Sequence, residues 1–130
     1  MLRVDVDAPT ANRREQTILI ADDEDGLRGL MREVLEDEGY TVFEAASGVN
    51  AIATLEHHAI DLLVVDHGLP GLSGSDLVDA ASKACPGLRI LCISGNPERE
   101  RSGWAFLAKP FHTAALTAKV RELMCPPGGL

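Results

Sequence analysis

Basic residues are in short supply: 12 Lys and Arg stand against 20 Asp and Glu, a formal net charge of −8 at pH 7. No stripe of Lys or Arg exists, so direct binding to nucleic acid is not expected. Aromatic residues make up only 4% of a chain that is 45% hydrophobic, so the core must be aliphatic, built from Leu, Val, Ile and Ala. The three cysteines, Cys85, Cys92 and Cys125, form no C-x-x-C pair. That number and spacing give neither a disulfide framework nor a zinc site, and Cys92, inside an apolar run, reads as packing. No apolar run approaches membrane-spanning length. The opening MLRVDVDAPTANRREQ lacks the apolar centre of a signal peptide. A soluble, cytoplasmic protein with no membrane partner is the expectation. No repeat, linker or second domain is visible, and 130 residues suffice for one domain with a proper core.

What the chain does have is organised around DLLVVDHGLPG, residues 61–71. Ile60 and Leu62 to Val65 make a short apolar run broken only by Asp61, the mark of a strand buried on both faces of a parallel sheet. The run stops at Asp66, and Gly68, Pro70 and Gly71 turn the chain at once. Before it, residues 1–16 read as a flexible tail. Thr17 to Ala21 is a buried strand ending in Asp22-Asp23-Glu24-Asp25. Leu27, Leu30, Met31, Val34 and Leu35 then follow helical spacing, and Gly39 closes that helix in a left-handed cap. Tyr40 to Ala45 is a second strand. A second helix starts at Ser47-Gly48, with Val49, Ile52, Ala53 and Leu55 as its inner face. After the turn, a third helix runs from about Ser75 to Ala84 with Leu77, Val78 and Ala81 inward. Leu88 to Ser94 and Trp104 to Ala108 are strands. Thr113 to Met124 is a last helix, with Leu116, Val120, Leu123 and Met124 on one face. Residues 125–130 form a C-terminal tail. Strict strand–helix alternation from 17 to 124 means an α/β fold with a five-stranded parallel sheet covered on both faces.

The polar signatures gather at strand ends. Asp22-Asp23 follow the first strand, Asp66 ends the third, Ser94-Gly95 end the fourth and Lys109-Pro110-Phe111 follow the fifth. In the flavodoxin-like order 2-1-3-4-5 all four groups border one crevice at the switch point. Three converging carboxylates repel one another without a cation, and hard oxygen ligands with no nearby His or Cys set favour Mg²⁺. Lys109 and the Ser94 hydroxyl would complete a site for a phosphoryl group. Each residue also has a plainer role open to it. Asp66 can cap a turn, Asp22 and Asp23 can cap a helix, Lys109 can be a solvated lysine, and Ser94 a turn residue. His57-His58 read as a solvated pair at a helix end rather than a relay site.

The combination DD…D-x-x-L-P-G…S-G…K-P-F, over residues 17–124, resembles the receiver domain of two-component response regulators. The resemblance implies that Asp66 is the phosphoacceptor, taking its phosphoryl group from a sensor histidine kinase or phosphotransfer protein and signalling to a downstream effector protein. It implies Mg²⁺ held by Asp23, Asp66 and the Gly68 carbonyl, with Asp22 acting largely through water. It further implies phosphoryl contacts from Ser94, Gly95 and Lys109, a cis peptide before Pro110, and Phe106 as the switch aromatic. Such a domain is no enzyme beyond Mg²⁺-dependent self-phosphorylation and autodephosphorylation.

One departure stands out. Only fourteen residues separate Ser94 from Lys109, and a receiver usually fits a full helix there. Much of that helix, the family's fourth, should be missing, as in receivers attached to hybrid sensor kinases. This fits a phosphorelay role better than transcription. Two rivals remain. A haloacid-dehalogenase-type phosphatase needs a second Asp where this chain has Gly68. A phosphorylation-independent receiver-like binding module has no need of acidic pair, acceptor and lysine together.

Overall fold

The computed structural model describes residues 16–69, 74–95 and 104–124. Residues 1–15 and 125–130 of the expected tails and residues 96–103 of the shortened stretch lie outside those residues, as do Pro70 and Gly71. Five strands and four helices make up the described chain: β1 (Thr17–Ala21), α1 (Asp25–Asp37), β2 (Thr41–Ala45), α2 (Gly48–His57), β3 (Leu62–Asp66), α3 (Gly74–Ala84), β4 (Arg89–Ser94), β5 (Ala105–Ala108) and α4 (Thr113–Met124). The strands form one sheet in the order β2-β1-β3-β4-β5, and every pairing is parallel. This is the flavodoxin-like arrangement that the alternating pattern predicts.

Strand alternation divides the core in two. Ile18, Ile20, Leu62, Val64, Leu91 and Ile93 face one way and pack with Met31 and Leu35 of α1 and Leu116, Val120 and Met124 of α4. Leu19, Ala21, Leu63, Val65 and Cys92 face the other way, against Ala51 and Leu55 of α2 and Leu77, Val78 and Ala81 of α3. All five residues of β3 are buried, as its unbroken apolar character requires. Asp61 interrupts that run because it stands just before the strand: its carboxylate accepts from the Thr17 amide at 2.8 Å, and its carbonyl accepts from the Arg89 amide at 3.1 Å. The carboxylate thus satisfies a backbone donor where β1 begins. At the same end of the sheet the Gln16 side-chain amide donates to the Met124 carbonyl at 3.1 Å.

Helix α1 ends as its sequence dictates. Gly39 takes φ 103°, its amide donates to the Glu36 carbonyl, and the Tyr40 amide donates to that of Leu35. These two bonds make a Schellman stop, and glycine bears the left-handed backbone without strain. In α2, Ser47 caps the first turn by accepting from the Asn50 amide. The inner face of α2 differs from the sequence reading. Gly48, Ala51 and Leu55 are buried, whereas Val49 is 69% exposed and Ala53 lies in solvent. Ala51 and Leu55 join the buried cluster that holds Ala21 and Ala45 of the sheet, and Ile52 packs partly buried against it. Leu30 of α1 is likewise 46% exposed rather than inward.

Candidate functional site

At the carboxyl edge of the sheet, β1 and β3 stop side by side, and each ends in acid. Asp22 carries the β1–β2 ladder one step further, its amide donating to the Ala45 carbonyl at 3.0 Å. The Asp22 side chain is fully buried, with Oδ1 accepting from the Glu24 amide at 2.8 Å. Its Oδ2 is buried and has no hydrogen-bond partner among the described residues. Asp23 follows it into solvent. Asp66 closes β3, with Oδ1 taking the Gly68 amide at 3.0 Å in a turn of Asx type, and Oδ2 facing Lys109 Nζ at 3.1 Å. Carboxylate oxygens of Asp22, Asp23 and Asp66 all lie within 4.8 Å of one another.

Lys109 reaches this cluster because β5 lies beside β4: its amide donates to the Ser94 carbonyl at 2.9 Å. Ser94 is buried at the end of β4, and Gly95 follows it exposed. The Lys109–Pro110 peptide is cis. Phe106 sits half-buried on β5, packed against the core on the α2–α3 side. The fold therefore brings Asp22, Asp23, Asp66, Gly68 and Lys109 together and sets Ser94 and Gly95 at the rim. Phe106, paired with Cys92, lies two residues before the end of β5.

The charges perturb one another. Burial pushes the Asp22 carboxyl up, an effect opposed by the Glu24 amide and reinforced by the Asp66 charge. Burial works against the Lys109 ammonium, but the hydrogen bond to Asp66 and the charges of Asp66, Asp22 and Glu24 outweigh it. The ammonium is held above its ordinary value. Among the described residues one lysine thus faces three carboxylates. The orphaned Asp22 Oδ2 and the two neighbouring carboxylates are a hard-oxygen donor set of the kind that holds Mg²⁺.

The sequence of residues 18–121 matches the family described as the response regulator receiver domain. The chain belongs to that family. Receiver domains are typically non-catalytic signalling modules of two-component systems. This receiver is 32% identical over 117 residues to the sensor kinase CckA of Brucella abortus, a match covering 83% of this chain and 12% of that protein. It is 28% identical over 116 residues to sporulation initiation phosphotransferase F of Bacillus subtilis, covering 84% of this chain and 94% of the relative. The crystal structure of the response regulator TrrA of Thermotoga maritima, in complex with Mg²⁺-BeF, superposes with a TM-score of 0.75 at 28% identity, covering 83% and 98% of the two chains. Within this receiver no described helix is long and apolar enough to cross a membrane.

Sequence reasoning passed over Arg28 and Glu44, which buttress the site from outside. Arg28 Nη1 donates to the Asp22 carbonyl at 2.7 Å, Nε to Glu44 Oε1 at 2.8 Å and Nη2 to Asp25 Oδ1 at 2.8 Å. Arg32 binds the other oxygen of Glu44 at 2.7 Å and also Glu36. The available signal was a lone Glu inside the apolar strand TVFEA, opposite two arginines spaced one helical turn apart.

Proposed function

We propose that Asp66 accepts a phosphoryl group from a phosphohistidine of a sensor histidine kinase or phosphotransfer protein, and that the modified domain signals through a protein partner. The observation that carries this reading is Asp66 itself, a strand-end carboxylate gripped by Lys109 at 3.1 Å and by the Gly68 amide at 3.0 Å, beside two further carboxylates. An Asp66 oxygen attacks phosphorus in line, and the new P–O bond forms as the P–N bond to the donor breaks. The imidazole leaves as the neutral base, taking a proton from solvent. Asp23, Asp66 and the Gly68 carbonyl would hold Mg²⁺, with Asp22 contributing mainly through water. Bound there, Mg²⁺ neutralises charge on the carboxylates and the incoming phosphoryl oxygens. Lys109 then exchanges Asp66 for a phosphoryl oxygen, the Ser94 hydroxyl and Gly95 amide meet another, and Phe106 follows Ser94 inward. The names of two relatives, a sensor kinase and a phosphotransferase, support a place in a phosphorelay.

Intact mass after incubation with Mg²⁺ and acetyl phosphate tests the proposal. Wild type should gain one phosphoryl group, and Asp66→Asn or excess chelator should abolish the gain. A label that maps to His57, His58 or Ser94 would overturn the assignment. No label under any donor, with the partner interaction intact, would mark a phosphorylation-independent module.

A further inference from the structure

We infer that Arg28 is a positioning residue that fixes the peptide between Asp22 and Asp23, and so aims the acidic pair at the cation. The inference rests on the Mg²⁺ site proposed above. Every polar group of Asp22 except Oδ2 is already held: the amide by Ala45, Oδ1 by the Glu24 amide, and the carbonyl by Arg28 at 2.7 Å. That carbonyl belongs to the peptide plane that leads into Asp23. Its direction therefore sets where the Asp23 side chain leaves the backbone. The Asp23 carboxylate makes no hydrogen bond of its own among the described residues, so its placement rests on that plane.

Arg28 suits this task because its guanidinium is itself fixed. Glu44 on β2 and Asp25 on α1 take its other two edges, and the side chain is only 15% exposed. A planar fork meeting three acceptors has little freedom to turn, which a lysine in its place would have. The two carboxylates also balance its charge, so the arginine presents a direction rather than a net positive field. Groups that orient metal ligands without touching the metal commonly change affinity by about ten- to a hundredfold when removed.

Charge and geometry predict opposite outcomes, and this makes the inference testable. Removing a cation from the edge of a cation site would, by Coulomb's law alone, tighten Mg²⁺ binding. Removing a positioning group should weaken it. Mg²⁺ titrations followed by the backbone amide signals of Glu24 and Gly68 measure the dissociation constant in wild type, Arg28→Met and Arg32→Met. Arg32 also binds Glu44 but does not reach Asp22. Arg28→Met should raise the dissociation constant about tenfold and shift the Asp23 amide nitrogen in the metal-free protein. Arg32→Met should stay within about twofold of wild type. If Arg28→Met does not fold, Arg28→Lys, which can serve one acceptor at a time, carries the comparison and should still bind more weakly than Arg32→Met. Tighter or unchanged binding on loss of the Arg28 fork, or equal weakening in both arginine variants, overturns the inference. Wild type without saturable Mg²⁺ binding overturns the site reading itself, and with it this inference.

Discussion

Asp22 shows how a single carboxylate is held against its own preference. It is fully buried, one of its oxygens has no partner among the described residues, and its nearest charges include the acid of Asp66. The resulting rise in its pKa means that, above that raised value, the charged form costs the fold stability. Asp22→Asn should therefore stabilise the metal-free protein by roughly 1 kcal/mol at neutral pH, the ordinary scale of one substitution. The amide oxygen can still take the Glu24 N–H, and the new NH₂ can donate toward a neighbouring carboxylate. The same change should weaken Mg²⁺ binding. Urea unfolding with chelator and with saturating Mg²⁺ reads both effects, which should have opposite signs. A loss of stability in chelator would show that the site is not strained by its charges.

Among the elements, edge strand β2 and helix α1 are joined by charge as much as by packing. Glu44 lies between Arg32 and Arg28, and their hydrogen bonds, that of Arg32 first, hold its carboxyl below the ordinary carboxylate value. A lowered folded value means the stabilisation is complete above pH 4.5, the ordinary value, and fades as pH falls through the lowered one. The difference in unfolding free energy between wild type and Glu44→Gln should follow that course. It should plateau at about 1 kcal/mol or less, since the pair is partly exposed. A difference that grows on acidification would refute the arrangement.

This charge bridge was less legible in the sequence than the elements it joins. Helix and strand positions follow from apolar spacing, and the Gly39 stop and the strand-end acids from local chemistry. The bridge is a contact between residues twelve and sixteen apart, which spacing along one element does not reveal. The same limit explains α2. Val49, Ile52, Ala53 and Leu55 satisfy helical spacing, and Leu55 and Ile52 do face the core, but Gly48 and Ala51 take the burial expected of Val49 and Ala53. The rotation of the helix about its axis is set by its packing on Ala21 and Ala45, and that packing is a property of the sheet. In the site, Asp22, Asp23, Asp66 and Lys109 were readable because each ends or follows a strand of one parallel sheet. Arg28 was not, because it serves a backbone carbonyl, for which side-chain chemistry leaves no motif.

At the scale of the molecule, the parallel sheet has two unlike ends. The acidic cluster occupies the carboxyl edge, whereas Gln16 meets Met124 at the amino edge, across five-residue strands spanning about 17 Å. Where the chain enters the sheet it also leaves the last helix, so the order of segments along the polypeptide is separable from the architecture. A circular permutant can join Met124 to Gln16 through a short glycine-rich linker and open between His58 and Ala59, both exposed. It should fold and bind Mg²⁺ within about twofold of the parent, since no residue of the acidic cluster sits near either cut. A permutant that folds but loses the cation would show that strain reaches the cluster from the opposite pole. One that keeps it would make the amino edge a free port, where other domains can be grafted without disturbing the chemistry at the far edge.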